Sequence, residues 1–208
     1  MKAMVLARTA DVGTSPLQLR ELPIPEPGPG ELLVRLTVCG ICRTDLHVVE
    51  GELADPALPL IPGHQAVGLV SQVGTGVSER TVGERVGIAW LQHTCGVCEF
   101  CTSGRENLCE RARFTGYQVD GGYAEYALVP AAFAYPIPPV FSDEEAAPSP
   151  LCWDHRLPRV TFEWNPARPT ARSLWVWCVG SHSHPDRSSL GLSDLCQLVE
   201  TGASAPRP

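Results

Sequence analysis

The pattern that most limits this chain is a run of four cysteines, Cys95, Cys98, Cys101 and Cys109, in TCGVCEFCTSGRENLC. The spacing C-x2-C-x2-C-x7-C lets one short loop bring four sulfurs to a point, as a tetrahedral metal with Zn–S bonds near ~2.3 Å requires. A closed four-thiolate shell leaves no place for substrate, so such a site is structural. Zinc is the expected metal; iron in the same shell and a disulfide-bonded loop are the alternatives. Metal binding there would contribute on the order of 10 kcal/mol to ordering a loop with little apolar content of its own.

The compartment weighs metal against disulfide. MKAMVLARTADVG lacks the apolar core of a secretory signal and the chain has no long apolar run, so a cytoplasmic protein with reduced thiols is expected. With 23 acidic against 16 basic residues and Lys2 as the single lysine, the chain offers no basic patch. Nucleic acid and anionic membrane are therefore not expected partners.

Up to Pro150 short β-type runs alternate with Gly and Pro turns. MKAMVLA, LQLRELPIP, ELLVRLTVCG, AVGLVSQVG, ERVGIAW and AEYALVP read as strands, and CRTDLHVVEG as a short helix capped by Thr44 or Asp45. A mainly β fold with short helices and a rolled, barrel-like sheet is expected. Beyond Pro150 lie four of the five tryptophans in a stretch without helical or strand period.

A second, dispersed constellation pairs Cys42 in CGICRTDLH with His64 in PGHQAVG. A lone Cys or His is more often structural than a ligand. Joined by a third donor, the two would form a Cys2His shell with an open fourth position, as catalytic zinc requires. Trp90 in GIAWL reads either as a wall of a substrate pocket or as a core residue.

The segments CGICRTDLHVVEG, PLIPGHQAVGLVSQVGTGV and VGERVGIAWL, the four-cysteine loop, and DGGYAEYALVPAAFA together resemble the zinc-dependent, medium-chain alcohol dehydrogenases, in that family's order and over residues 1–148. The resemblance implies a GroES-like β-barrel catalytic domain and a structural zinc on Cys95, Cys98, Cys101 and Cys109. It implies catalytic-zinc ligands at Cys42 and His64, with Cys39 left as a buried strand residue. It further implies a proton relay from Thr44 through the cofactor ribose to His47, a pyrophosphate contact at Arg43, a small alcohol or aldehyde substrate, NAD(P), and a homo-oligomer. Gln65 stands where the family has Glu, removing a negative charge beside the metal.

The family would continue into a nicotinamide-binding Rossmann domain, whose G-x-G-x-x-G/A turn is missing after Pro150. The genetic code offers a reason. Tryptophan has one codon, TGG, so in a frame shifted by one base Trp153, Trp175 and Trp177 all read as glycine, given Asp154, Val176 and Cys178 after them. The shifted frame permits Leu-Leu-Cys-Ala-Gly-Ile after EEAAP, and a G-x-G-x-x-A turn further on. Residues 149–208 are thus expected to be a frameshifted, poorly ordered tail. Cys152 would lie one position from the third ligand cysteine, about 3.5 Å along the chain, and is the candidate for that ligand. His155, His182 and His184 read as bystanders. The expected function is that of a zinc-dependent alcohol dehydrogenase, inactive in this chain as written; the alternative is a non-catalytic zinc-binding β-barrel fragment.

Overall fold

In the computed structural model, residues 1–148 are described. The expected tail, Cys152 with it, lies outside the described residues. The strands in chain order are β1 (Lys2–Leu6), β2 (Leu17–Glu21), β3 (Glu31–Gly40), β4 (Gln65–Val73), β5 (Arg85–Ile88), β6 (Leu91–His93), β7 (Arg113–Phe114), β8 (Tyr126–Pro130) and β9 (Ala134–Pro136). Among the described residues three short helices accompany them: α1 (Arg43–Glu50) and α2 (Glu99–Thr102) between strands, and α3 (Asp143–Ala146) after β9. No helix among the described residues is long and apolar enough to cross a membrane.

The main sheet runs β8-β3-β4-β5-β9, with each neighbouring pair antiparallel. Two irregularities in the β3–β4 register, between Leu33 and Val34 and between Leu36 and Val38, curl it. Gly68 permits the second: a Cβ at that position would run into the Arg35 carbonyl oxygen. The sheet closes over Leu32, Val34, Ala66, Val70, Val86, Ile88 and Val129, forming a curled half-barrel. ELLVRLTVCG matches β3 residue for residue, whereas ERVGIAW stops early at Ile88 and the chain turns into β6.

The β1–β2 ribbon packs with α1 around Leu6, Ile41, Leu46, Val48, Val49, Leu60 and Ile61. An eight-residue helix is too short to hold alone in water, so this burial, worth about 1.5–3 kcal/mol per large side chain, secures α1. The expected cap needs correction. Cys42 occupies the N-cap position, Thr44 lies inside the helix, and Asp45 works from the third helical position by accepting the Cys42 backbone N–H at 2.8 Å.

Candidate metal centres

β6 and β7 pair at Leu91–Phe114 and His93–Arg113, tying both ends of the loop that carries the four cysteines. Helix α2 and a 3-10 turn at Glu106–Leu108 fold the loop back on itself. Ligand atoms of Cys95, Cys98, Cys101 and Cys109 lie within 4.8 Å of one another, and all four cysteines are free. Cys95 Sγ is 3.9 Å and Cys98 Sγ 3.5 Å from Cys101 Sγ. A tetrahedron with ~2.3 Å metal–sulfur bonds has edges of about 3.8 Å, so the sulfurs stand at the spacing a metal needs. The backbone N–H of Cys95 donates to Cys109 Sγ at 3.4 Å. The Val97 backbone N–H brings the Cys95 thiol down to about 5, and Arg111 beside it is raised by the Cys95 sulfur. Cys109 is buried, but Val97 and Leu108 face solvent, so the lobe has almost no apolar core.

The second constellation is buried. β4 begins just after His64, and α1 just after Cys42, so the closing of β3 onto β4 brings the two together. His64 is 1% exposed, and its Nδ1 lies 2.8 Å from Asp45 Oδ1, itself 1% exposed. A carboxylate only accepts, so Nδ1 carries the proton and Nε2 remains for a second partner. Burial works against the His64 cation, but the charge and hydrogen bond of Asp45, followed by Cys42, hold it up at about 10. Burial also acts to raise the Cys42 thiol; hydrogen bonds from His64 and the Thr44 backbone outweigh it and leave the thiol below its ordinary value. The set is a thiol, an imidazole and a carboxylate joined by hydrogen bonds, with Asp45 on the Nδ1 side of the ring and Cys42 as its other hydrogen-bonding neighbour. Cys39, by contrast, is pushed well up by burial and then by the Asp45 charge, as suits a thiol that packs.

The surroundings bring in other expected residues. Thr44 Oγ1 is 3.7 Å from Cys42 Sγ. His47 lies one turn further along α1, its Nδ1 paired with Glu52 Oε2. Arg43 begins the helix and is half-buried. The Trp90 ring stands edge-on to His64 with centroids 4.9 Å apart and stacks on Phe114 and Tyr117 at 5.0 and 5.9 Å. Gln65 is buried with its Oε1 against Gly40. Among the described residues, the four cysteines of the lobe are the group of three or more donors close enough to share a metal; Cys42 and His64 stand as a pair. Asp45 was readable from sequence only as a helix cap. Its position three residues after Cys42 was the one available hint, and no local pattern announces that its second oxygen meets a histidine nineteen residues away.

Residues 28–139 match the alcohol dehydrogenase GroES-like domain family. A curated relative, "Probable alcohol dehydrogenase AdhA" of Mycobacterium tuberculosis, is 50% identical over 153 residues, covering 71% of this chain and 44% of the relative. Among solved structures, an NAD-dependent alcohol dehydrogenase superposes with a TM-score of 0.67 at 37% identity, covering 71% of this chain and 42% of the other. A cobalt- and zinc-bound thermostable alcohol dehydrogenase from Pyrobaculum aerophilum does so at 0.66 and 34%, covering 73% and 45%. The chain spans about two fifths of the length of the curated relatives it matches. A four-thiol lobe, a curled sheet and these likenesses over the same residues agree: the chain belongs to the zinc-type medium-chain alcohol dehydrogenases, whose GroES-like domain it carries.

Proposed function

We propose that residues 1–148 are the metal-binding catalytic domain of an NAD(P)-dependent alcohol dehydrogenase. A structural zinc would be held by Cys95, Cys98, Cys101 and Cys109, and a catalytic zinc by Cys42 and His64, with Cys152, outside the described residues, as the candidate third ligand. The observation that carries this reading is the buried pairing of His64 Nδ1 with Asp45, which keeps Nε2 available beside the Cys42 sulfur. The cobalt- and zinc-bound relative supports the choice of metal. A reducing, cytoplasmic setting suits four neighbouring cysteines that remain thiols.

Zinc at Cys42 and His64 would supply Lewis acidity toward the oxygen of a small alcohol, with NAD(P) as hydride acceptor. The chain's own residues do the rest. Asp45 orients the ligand imidazole and anchors the Cys42 backbone, so both donors are fixed before metal arrives. Trp90 walls the side of His64 and keeps water from it. Thr44 Oγ1 holds the alcohol proton on its way out, and His47, one turn on, holds it near solvent. Arg43 at the helix start meets the cofactor pyrophosphate.

Zinc analysis separates the two sites. Cys101→Ser should remove one zinc and His64→Ala the other; zinc content untouched by His64→Ala would end the catalytic reading. The chain as written should not reduce NAD(P) with primary, secondary or benzylic alcohols, because residues 149–208 in this frame carry no dinucleotide fingerprint. Deleting one nucleotide after codon 148 should bring turnover back. Turnover by the unrepaired chain would overturn the frameshift reading and leave the metal reading standing.

A further inference from the structure

Helix α1 ends in a reversal that carries a carboxylate back over its own last turn. Gly51 takes φ 77, and its N–H turns back to the Val48 carbonyl at 3.3 Å. The N–H groups of Glu52 and Leu53 both return to the His47 carbonyl, at 2.9 and 3.4 Å. This is how a helix satisfies its last carbonyls, and glycine is the residue that enters the left-handed region without cost. The reversal has a second effect: it seats the Glu52 side chain against His47, where Oε2 pairs with Nδ1.

The N-terminal segment buttresses the turn. A Cβ on Gly51 would sit 3.0 Å from Thr9, Ala10 N–H reaches the Val49 carbonyl at 3.0 Å, and Val12 N–H reaches Glu50 Oε1 at 3.3 Å. Exposure rises along this line. His64 and Asp45 are 1% exposed, Cys42 and Thr44 are half-buried, His47 is 32% and Glu52 56% exposed. Glu52 is thus the outermost polar group on a path that starts at the buried donor pair.

We infer that Glu52 is a positioning residue for proton transfer at His47: by accepting the Nδ1 proton it fixes the ring in one tautomer and presents Nε2 as the acceptor. The inference rests on the role proposed above for His47. A carboxylate can only accept, so the pair requires the proton on Nδ1; an unpartnered imidazole at this exposure would sample both tautomers and both ring orientations. The step moves one proton. A proton reaching Nε2 forms the N–H bond of an imidazolium held against the Glu52 carboxylate, and the same bond breaks when Nε2 returns that proton to water. No electrons change hands, and the ring is reset for the next cycle.

The test needs no substrate. In the zinc-loaded full chain with 15N-labelled histidine, the His47 ring, assigned by its loss in His47→Gln, should be in the Nδ1–H form. Glu52→Ala should lose the Nδ1–H signal, and Glu52→Gln, whose amide oxygen still accepts, should keep it. An Nε2–H ring in the unsubstituted chain, or a ring unchanged by Glu52→Ala, overturns the inference. In the frame-repaired enzyme Glu52→Ala should lower kcat by about tenfold at unchanged KM, a small share of what a positioned acid–base group contributes, and an unchanged kcat would refute the proton role. Failure of the repaired enzyme to oxidise any alcohol would count against the proposed function, while the ring measurement still decides the role of Glu52.

Discussion

The two candidate metal centres are built by opposite means. Four donors of the cysteine lobe come from fifteen consecutive residues, Cys95 to Cys109, three of them only partly buried, and Val97 and Leu108 beside them face water. The other centre takes Cys42 from the start of a helix and His64 from the start of a strand, and buries the imidazole on Asp45 at 2.8 Å. A loop without a core depends on metal for its order. The buried pair depends on the surrounding fold for its geometry, and a metal added to it finds the donors already held. The lobe should therefore fail when metal is lost, and the pair when a neighbour is lost.

Removing one sulfur should have the largest effect. In Cys101→Ser the lobe should release its zinc and forfeit a large part of the roughly 10 kcal/mol of metal-linked order. Limited proteolysis should then cut between residues 94 and 112 while the main sheet stays intact. A lobe still resistant without metal would break the contrast.

Asp45→Ala attacks the other side. It strands the His64 Nδ1–H and the Cys42 backbone N–H in a buried place, which costs about 3 kcal/mol or more. Denaturant unfolding should show that loss with the lobe's zinc retained. Asp45→Asn keeps one acceptor oxygen but turns an amide N–H against the other donor, so it should recover at most part of that loss, and an Asp45→Ala chain as stable as the unsubstituted one would break the contrast.

A smaller change sharpens the comparison. Gln65→Glu restores a negative charge next to His64 and should tighten the second metal about tenfold, within the range for groups that support ligands, with no change at the lobe. Competition with a chromophoric chelator measures both affinities in one titration.

The smallest effect concerns protonation in the zinc-free chain. Cys95 is lowered to about 5, so its thiolate is present above that pH and is lost as pH falls through it. Alkylation mapped by mass spectrometry should find Cys95 modified ahead of Cys39, whose thiol burial pushes up, with the Cys95 rate half lost near pH 5. Preferential modification of Cys39 would contradict both assignments.

Some of the weaker strands show where local reading stops. β6, β7 and β9 are two or three residues long, and their pairing depends on which segments the lobe and the curled sheet bring alongside. Three residues carry too little pattern to identify. β3 and β4 are long and rich in β-branched and aliphatic residues, so they were legible. Trp90 could be read from sequence as pocket or as core; in the fold its ring borders His64, is stacked on Phe114 and Tyr117, and packs against the core around Leu6 and Leu60.

What the amino-acid sequence determined by itself is the chemistry that is local: four cysteines at ligand spacing, a short helix within CRTDLHVVEG though not its cap, and the long strands of the sheet. Each depends on groups within about a dozen residues, where spacing alone dictates geometry. Only the tertiary structure decided that Asp45 caps one donor and orients the other, that Trp90 faces His64, and that Glu52 folds back on His47. Those relations depend on the β3–β4 closure, on a helix end braced by the N-terminal segment, and on burial that turns ordinary polar side chains into obligatory partners. None of these is a property of any short stretch of sequence.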